Sequence, residues 1–191
     1  MGLTILPSSR HPFNLRLAEY LSTLHPDVRI CYGLRCNCED PMLRSLSPLG
    51  CTILVPRGYA NEVGAIAQGI LDADLLSKTE ILVLAILDYI EAVNQGKLLP
   101  VPFSVIGYQT ISVDYLRDAT GELSAMTHPQ LQFRDYQPLH PGDPMFLTFT
   151  GETISYQGAA TVFPIFINEA AYYEKGIAMT LTARLELIVD L

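Results

Sequence analysis

The pattern of apolar and polar positions changes period once along this chain. In the first hundred residues, short apolar runs alternate with stretches of helical spacing. Leu3–Leu6 is an apolar run closed by Pro7 and reads as a short buried strand. Pro12 suits the first turn of a helix, where its missing N–H goes unused. Phe13, Leu17, Ala18, Leu21 and Leu24 then recur on one face, which predicts a helix to about Leu24. Val28–Leu34 alternates as a second strand does, and Arg35–Gly50, with Pro41 and Pro48, reads as a loop. Cys51–Val55 is a third strand candidate, followed by the turn Pro56-Arg57-Gly58. Leu71–Asn94 contains neither Pro nor Gly and sets Leu75, Leu82, Ile86, Tyr89, Ile90 and Val93 at helical intervals, with Gly96 as its stop. Apolar residues occupy much of this helix's circumference, which predicts packing on two sides.

After the linker Leu98-Leu99-Pro100-Val101-Pro102 the helical period disappears. Phe103–Val113, Leu123–Thr127, Met145–Thr150, Thr153–Tyr156, Thr161–Ile167 and Ala178–Ile188 read as strands separated by Gly, Pro and Asp turns. The expected organisation is an α/β part over residues 1–100 and a β-rich domain over residues 101–191, divided near Pro100.

Composition narrows the function classes. The chain has 191 residues, of which 49% are hydrophobic and 17% charged, so it is globular with a sizeable core. A net charge of −8 with no basic cluster argues against nucleic acid or an anionic membrane as a partner. The richest apolar run, Ile81–Ile90, is too short to span a bilayer and carries Asp88. Met1–Pro7 ends in Pro-Ser-Ser and does not read as a secretory signal, so the expected location is cytoplasmic. Cys31, Cys36, Cys38 and Cys51 crowd the first third. Cys36-Asn37-Cys38 is not zinc-finger spacing, and reduced thiols without metal are the expectation.

Few residues carry chemistry by spacing alone. Glu62 sits beside small residues in Asn61–Gly69, where Gly64 and Gly69 permit tight turning or close approach to a ligand. Two readings stand there. One is a solvated loop acid; the other is a carboxylate open to a cavity, whose partial desolvation raises its pKa towards that of a general base. The histidines His11, His25, His128 and His140 each precede proline. No His-x-x-Glu or His-x-His spacing occurs, so no metal ligand is assigned within this chain. There is no Gly-x-Ser-x-Gly elbow and no phosphate-binding glycine loop.

Three longer words change the picture. They are Tyr115–Gly121 (YLRDATG), His128–Asp143, which runs into LHPGDPMFLTF, and Phe163–Lys175 (FPIFINEAAYYEK). In this order, with Gly158-Ala159-Ala160 between the last two, they resemble the aspartoacylase / succinylglutamate desuccinylase family, zinc-dependent hydrolases that remove the acyl group from N-acyl amino acids. The resemblance runs from Met1-Gly2 to near Leu187 and corresponds to the C-terminal ~190 residues of such proteins. It implies the C-terminal half of a zinc-carboxypeptidase-like α/β domain followed by a β-rich cap. Family members begin well before this Met1. Their preceding half holds a His-Gly-Asn-Glu type segment with two zinc ligands, substrate-binding Arg and Asn residues, and a third ligand histidine shortly before the Met-Gly.

The roles that follow are implied by that resemblance. Glu62, in Glu62-Val63-Gly64 followed by Gln68-Gly69-Ile70-Leu71, takes the place of the catalytic glutamate that activates water and protonates the leaving amine. Arg44, in Leu43-Arg44-Ser45, takes the place of the arginine that forks onto a substrate carboxylate. It lies 18 residues before Glu62, more than the family pattern places there, and the extra residues Leu54–Asn61 contain a rival, Arg57. Asp40 stands where the family has a tyrosine four residues before that arginine. Tyr172 matches the tyrosine whose hydroxyl reaches the substrate channel, while its neighbour Tyr173 reads as a core aromatic. Glu169 is carried over as an acid that orients a neighbouring basic or hydroxyl group. Zinc is the implied cofactor, with its ligands absent from this chain. The implied partners are an N-acyl amino acid such as N-acetylaspartate, a complementary N-terminal chain, and a second copy pairing through an exposed sheet edge. The alternative expectation is a non-catalytic remnant or interaction module.

Overall fold

The computed structural model describes residues 3–7, 12–25, 28–32, 59–63, 70–97 and 103–189. Strand β1 (Leu3–Pro7) runs parallel to β2 (Arg29–Tyr32), with Thr4 opposite Arg29 and Ile5 opposite Ile30. Parallel neighbours need a crossover, and helix α1 (Pro12–Leu24) provides it. On its other side β1 pairs antiparallel with β3 (Tyr59–Val63), Leu3 opposite Val63 and Pro7 opposite Tyr59. Two long strands, β4 (Phe103–Asp114) and β8 (Ile177–Val189), complete a five-stranded mixed sheet of order β3-β1-β2-β4-β8. Gly107 lies in β4 where a Cβ would stand 3.0 Å from Leu187 Cδ1 of β8, so a larger residue there would require the Leu187 side chain to shift.

The chain divides into two compact units, residues 1–107 with 185–191, and residues 108–184. The division falls inside both β4 and β8. In the first unit, Leu15, Leu17, Ala18 and Leu21 of α1 pack with Val28, Ile30 and Val105 and with the second helix, α2 (Ala73–Asn94). Tyr89 of α2 meets the rings of Phe13 and Tyr20 at 5.7 and 5.2 Å. The helix starts two residues later than its apolar pattern predicts, because the Asp72 carboxylate accepts the Leu75 N–H at 2.9 Å and caps it. It stops where expected. Gly96 takes φ +66°, its N–H donates to Val93 and that of Lys97 to Ala92, the paired bonds of a Schellman ending.

Among the described residues, packing of α2 on two sides is not observed. Leu82, Ala85 and Tyr89 form its buried stripe, whereas Leu76, Ile81, Val83, Leu84 and Leu87 are exposed. Helical periodicity reports that residues share a face, but it does not report how many faces find a partner. No helix among the described residues is long and apolar enough to cross a membrane.

The second unit is β-rich, as the loss of helical period predicts. Strands β5 (Ala125–Thr127), β6 (Pro144–Thr148) and β7 (Thr153–Ser155) form an antiparallel sheet in which Phe146 lies opposite both Thr127 and Ile154. Tyr115, Leu131, Leu139, Phe146, Ile167 and Met179 belong to its core. The expected strand Thr161–Ile167 is not one. It makes two isolated bridges, Leu139 with Val162 and Ile165 with Thr180. Pro164 has no N–H to give a ladder, and Phe166 and Asn168 at φ +53° and +56° turn the chain out of the extended region. Cys51–Val55 lies outside the described residues.

Candidate active site

The segment following Val162 carries Glu169 and Tyr172, the two residues of the second unit expected from sequence to serve the site. Phe163 and Ile165 exchange backbone hydrogen bonds with Thr182 and Thr180 of β8, and the Asn168 N–H donates to Ala178. Anchored in this way, the chain turns through Asn168 into the short helix α3 (Ala170–Tyr173), with Glu169 at its start and Tyr172 in its last turn. Phe166 is buried, and its ring centroid lies 5.6 Å from that of Tyr172. The Lys175 ammonium stands 5.6 Å from the Tyr172 ring centroid on the same helix ending. Tyr173, expected in the core, is 53% exposed and touches Tyr115 only edge-on at 5.9 Å. Adjacent helical residues face different directions, so Tyr172 and Tyr173 cannot share one environment.

Electrostatics single out Glu169. Burial pushes its carboxyl above the ordinary value, and the charge of Asp135 pushes the same way. Its side chain makes no capping bond to α3, so helix capping does not offset that burial. The Tyr115 phenol is also raised, by burial first and then by Tyr173. It donates to Asn168 Oδ1 at 2.6 Å.

A testable consequence follows for Glu169. A carboxyl with a raised folded pKa binds its proton more tightly folded than unfolded. Its contribution is therefore most favourable below the unfolded value of 4.5 and is lost as pH rises through the folded pKa. Glu169→Gln should raise the thermal midpoint at neutral pH, with the gain shrinking to nothing as the pH falls below 4.5. Midpoints measured across that range check it; a loss of stability at neutral pH would show that the ionised carboxylate is needed.

The other family words prove to be turn chemistry. In Tyr115–Gly121 the Asp118 carboxylate accepts from the Thr120 hydroxyl and N–H at 2.6 and 2.8 Å and from the Glu122 N–H at 3.1 Å. The Thr120 hydroxyl does most to hold that carboxyl below its usual range. His128 Nδ1 accepts from the Gln130 N–H at 3.2 Å. The His140 ring meets the Thr161 hydroxyl at 2.9 Å, and the backbone N–H of His140 donates to the Asp143 carboxylate at 2.7 Å. Among the described residues no group of three or more His, Cys, Asp or Glu side chains is placed to hold a metal ion, so the described residues do not fit zinc.

Of the site residues expected from sequence, Glu169 and Tyr172 come together on one short segment of the second unit. The backbone of Glu62 lies in β3 of the first unit, opposite Thr4 of β1. Arg44, its rival Arg57, and Asp40 lie outside the described residues. Sequence reasoning passed over Gln132, Asp135 and Asn168, which brace the Glu169–Tyr172 segment. The available signal was Asn168 itself, an asparagine just after an apolar run, a residue type that tolerates left-handed backbone.

Comparison with known proteins places this geometry. Residues 107–184 match the AstE/AspA barrel-sandwich hybrid domain, which covers the whole of the second unit. A probable aspartoacylase of Acaryochloris marina is 52% identical over 183 residues, covering 95% of this chain and 59% of that protein. A human N-acyl-aromatic-L-amino acid amidohydrolase (carboxylate-forming) is 39% identical over 188 residues, covering 96% of this chain and 56% of that protein. The crystal structure of murine aminoacylase 3 superposes with a TM-score of 0.84 at 38% identity, over 99% of this chain and 60% of that one. The chain thus spans about three fifths of the length of the relatives it matches.

Proposed function

The chain belongs to the aspartoacylase family and corresponds to the C-terminal region of its members, and on that premise we propose that it serves in hydrolysing an N-acyl amino acid to a carboxylate and a free amino acid. One observation carries the reading. Relatives named for aspartoacylase and relatives named for an N-acyl-aromatic-amino acid amidohydrolase match along nearly the whole chain, and the two names share one reaction. In this reading Glu62 takes a proton from the attacking water and returns it to the leaving amine nitrogen. Arg44 forks onto the substrate carboxylate, the Tyr172 hydroxyl donates to the bound acyl amino acid, and Glu169 orients its polar neighbours. N-acetylaspartate is the first substrate to try. Zinc belongs to the reading through the family resemblance, and its ligands then come from outside the described residues, a complementary N-terminal chain being the source proposed.

The test is release of free amino acid from N-acetyl-L-aspartate and from N-acetyl-L-tyrosine. The chain is assayed with and without zinc, alone and co-expressed with the N-terminal region of the Acaryochloris marina relative. Turnover of either substrate supports the reading. No turnover of either in any combination, with folded protein shown by circular dichroism, rejects it in favour of a non-catalytic module.

A further inference from the structure

Among the described residues, Phe133, Tyr136, Phe166 and Asn168 take left-handed backbone angles without being glycine, at φ 63°, 61°, 53° and 56°. Bulky aromatic residues rarely do so, and such strain persists only where the surroundings over-determine it. All of them fall in two stretches, 131–137 and 163–168, that hold each other. The Tyr136 N–H donates to the Pro164 carbonyl at 2.8 Å. Asn168 Nδ2 donates to Gln132 Oε1 at 3.2 Å. Between these contacts the Asp135 carboxylate accepts the Ile167 N–H at 3.3 Å.

That last bond has a particular place. Ile167 is buried and separates the two left-handed residues Phe166 and Asn168. On one side Phe166 presents its ring to Tyr172, and on the other Asn168 receives the Tyr115 hydroxyl next to Glu169. Without its acceptor the Ile167 amide would be a donor in the interior with no bond, and the chain on both sides would relax.

We propose that Asp135 is a positioning residue for the Tyr172 site. By accepting the Ile167 amide it fixes Phe166 and Asn168 in their strained conformations, and Phe166 in turn sets the Tyr172 ring. The inference rests on the reading of Tyr172 as a substrate contact. Asparagine at position 135 keeps a carbonyl acceptor of the same reach and should preserve the arrangement, whereas alanine removes the acceptor.

The experiment uses the full chain with labelled Phe and Tyr rings, comparing wild type, Asp135→Asn and Asp135→Ala by nuclear Overhauser contact between Phe166 and Tyr172, with N-acetyl-L-aspartate titrated into each. The contact should survive in Asp135→Asn and disappear in Asp135→Ala. Binding should weaken about tenfold in the alanine variant and return to within about twofold of wild type in the asparagine variant. An intact ring contact in a folded Asp135→Ala protein overturns the proposal. Should that variant not fold, Asp135→Glu replaces it, since its extra methylene displaces the acceptor, and an undisturbed contact there is equally fatal. Tyr172→Phe separates the two layers. If it binds N-acetyl-L-aspartate as wild type does, the substrate role of Tyr172 falls, while the ring contact still decides the role of Asp135.

Discussion

Leu82→Ala should lower the free energy of unfolding by about 2–5 kcal/mol, while Leu84→Ala, on the same helix, should change it by no more than about 0.5 kcal/mol. The chemistry of the two substitutions is identical, so the environment decides the difference. Leu82 is 2% exposed in the core formed by α1, β2, β4 and α2, and truncating it removes apolar contact and leaves a void that close-packed neighbours refill only in part. Leu84 is 60% exposed, so its methyl groups already face water and little is lost with them. Denaturant unfolding of both variants reads the difference as a shift of the midpoint at constant slope. A cost for Leu84→Ala comparable to that for Leu82→Ala would mean that the outer face of α2 is covered after all.

That contrast also marks how far the sequence could be read. Local rules were sufficient for most of α1, where the first-turn proline and the spacing of Leu17, Ala18 and Leu21 identify the buried face, although Leu24, expected on the same face, is exposed at the helix end. They sufficed again for the glycine-ended α2 and for the strands β4, β6, β7 and β8, whose turns are built by Gly, Pro and Asp. They failed at Thr161–Ile167, which has the composition of a strand but is bent by contacts from residues 131–137, far away in sequence. The same distance hid the frame around the candidate site. Nothing near Asp135 in sequence signals that its carboxylate will meet the Ile167 amide, 32 positions on. Glu169 and Tyr172 were legible only because Phe163–Lys175 is a family word; spacing alone would have left them as a helix-start acid and one more aromatic.

Glu62→Gln should reduce the turnover of an N-acyl amino acid by about 10²–10⁴-fold, the usual contribution of a general base, while changing substrate affinity little. The amide keeps the shape of the carboxylate and an oxygen acceptor but cannot take the proton of the attacking water, so the loss belongs to the transition state. The backbone of Glu62 lies next to the last residue of β3, held by pairing with β1 from Leu3–Val63 through Pro7–Tyr59. Tyr172→Phe removes one hydroxyl donor and should weaken binding by about tenfold at most, so the two variants differ in which kinetic constant moves as well as in size. Steady-state kinetics of the co-expressed protein with N-acetyl-L-aspartate or N-acetyl-L-tyrosine measures both. Full activity in Glu62→Gln would assign the proton transfer to another group and remove the first unit's β3 from the mechanism.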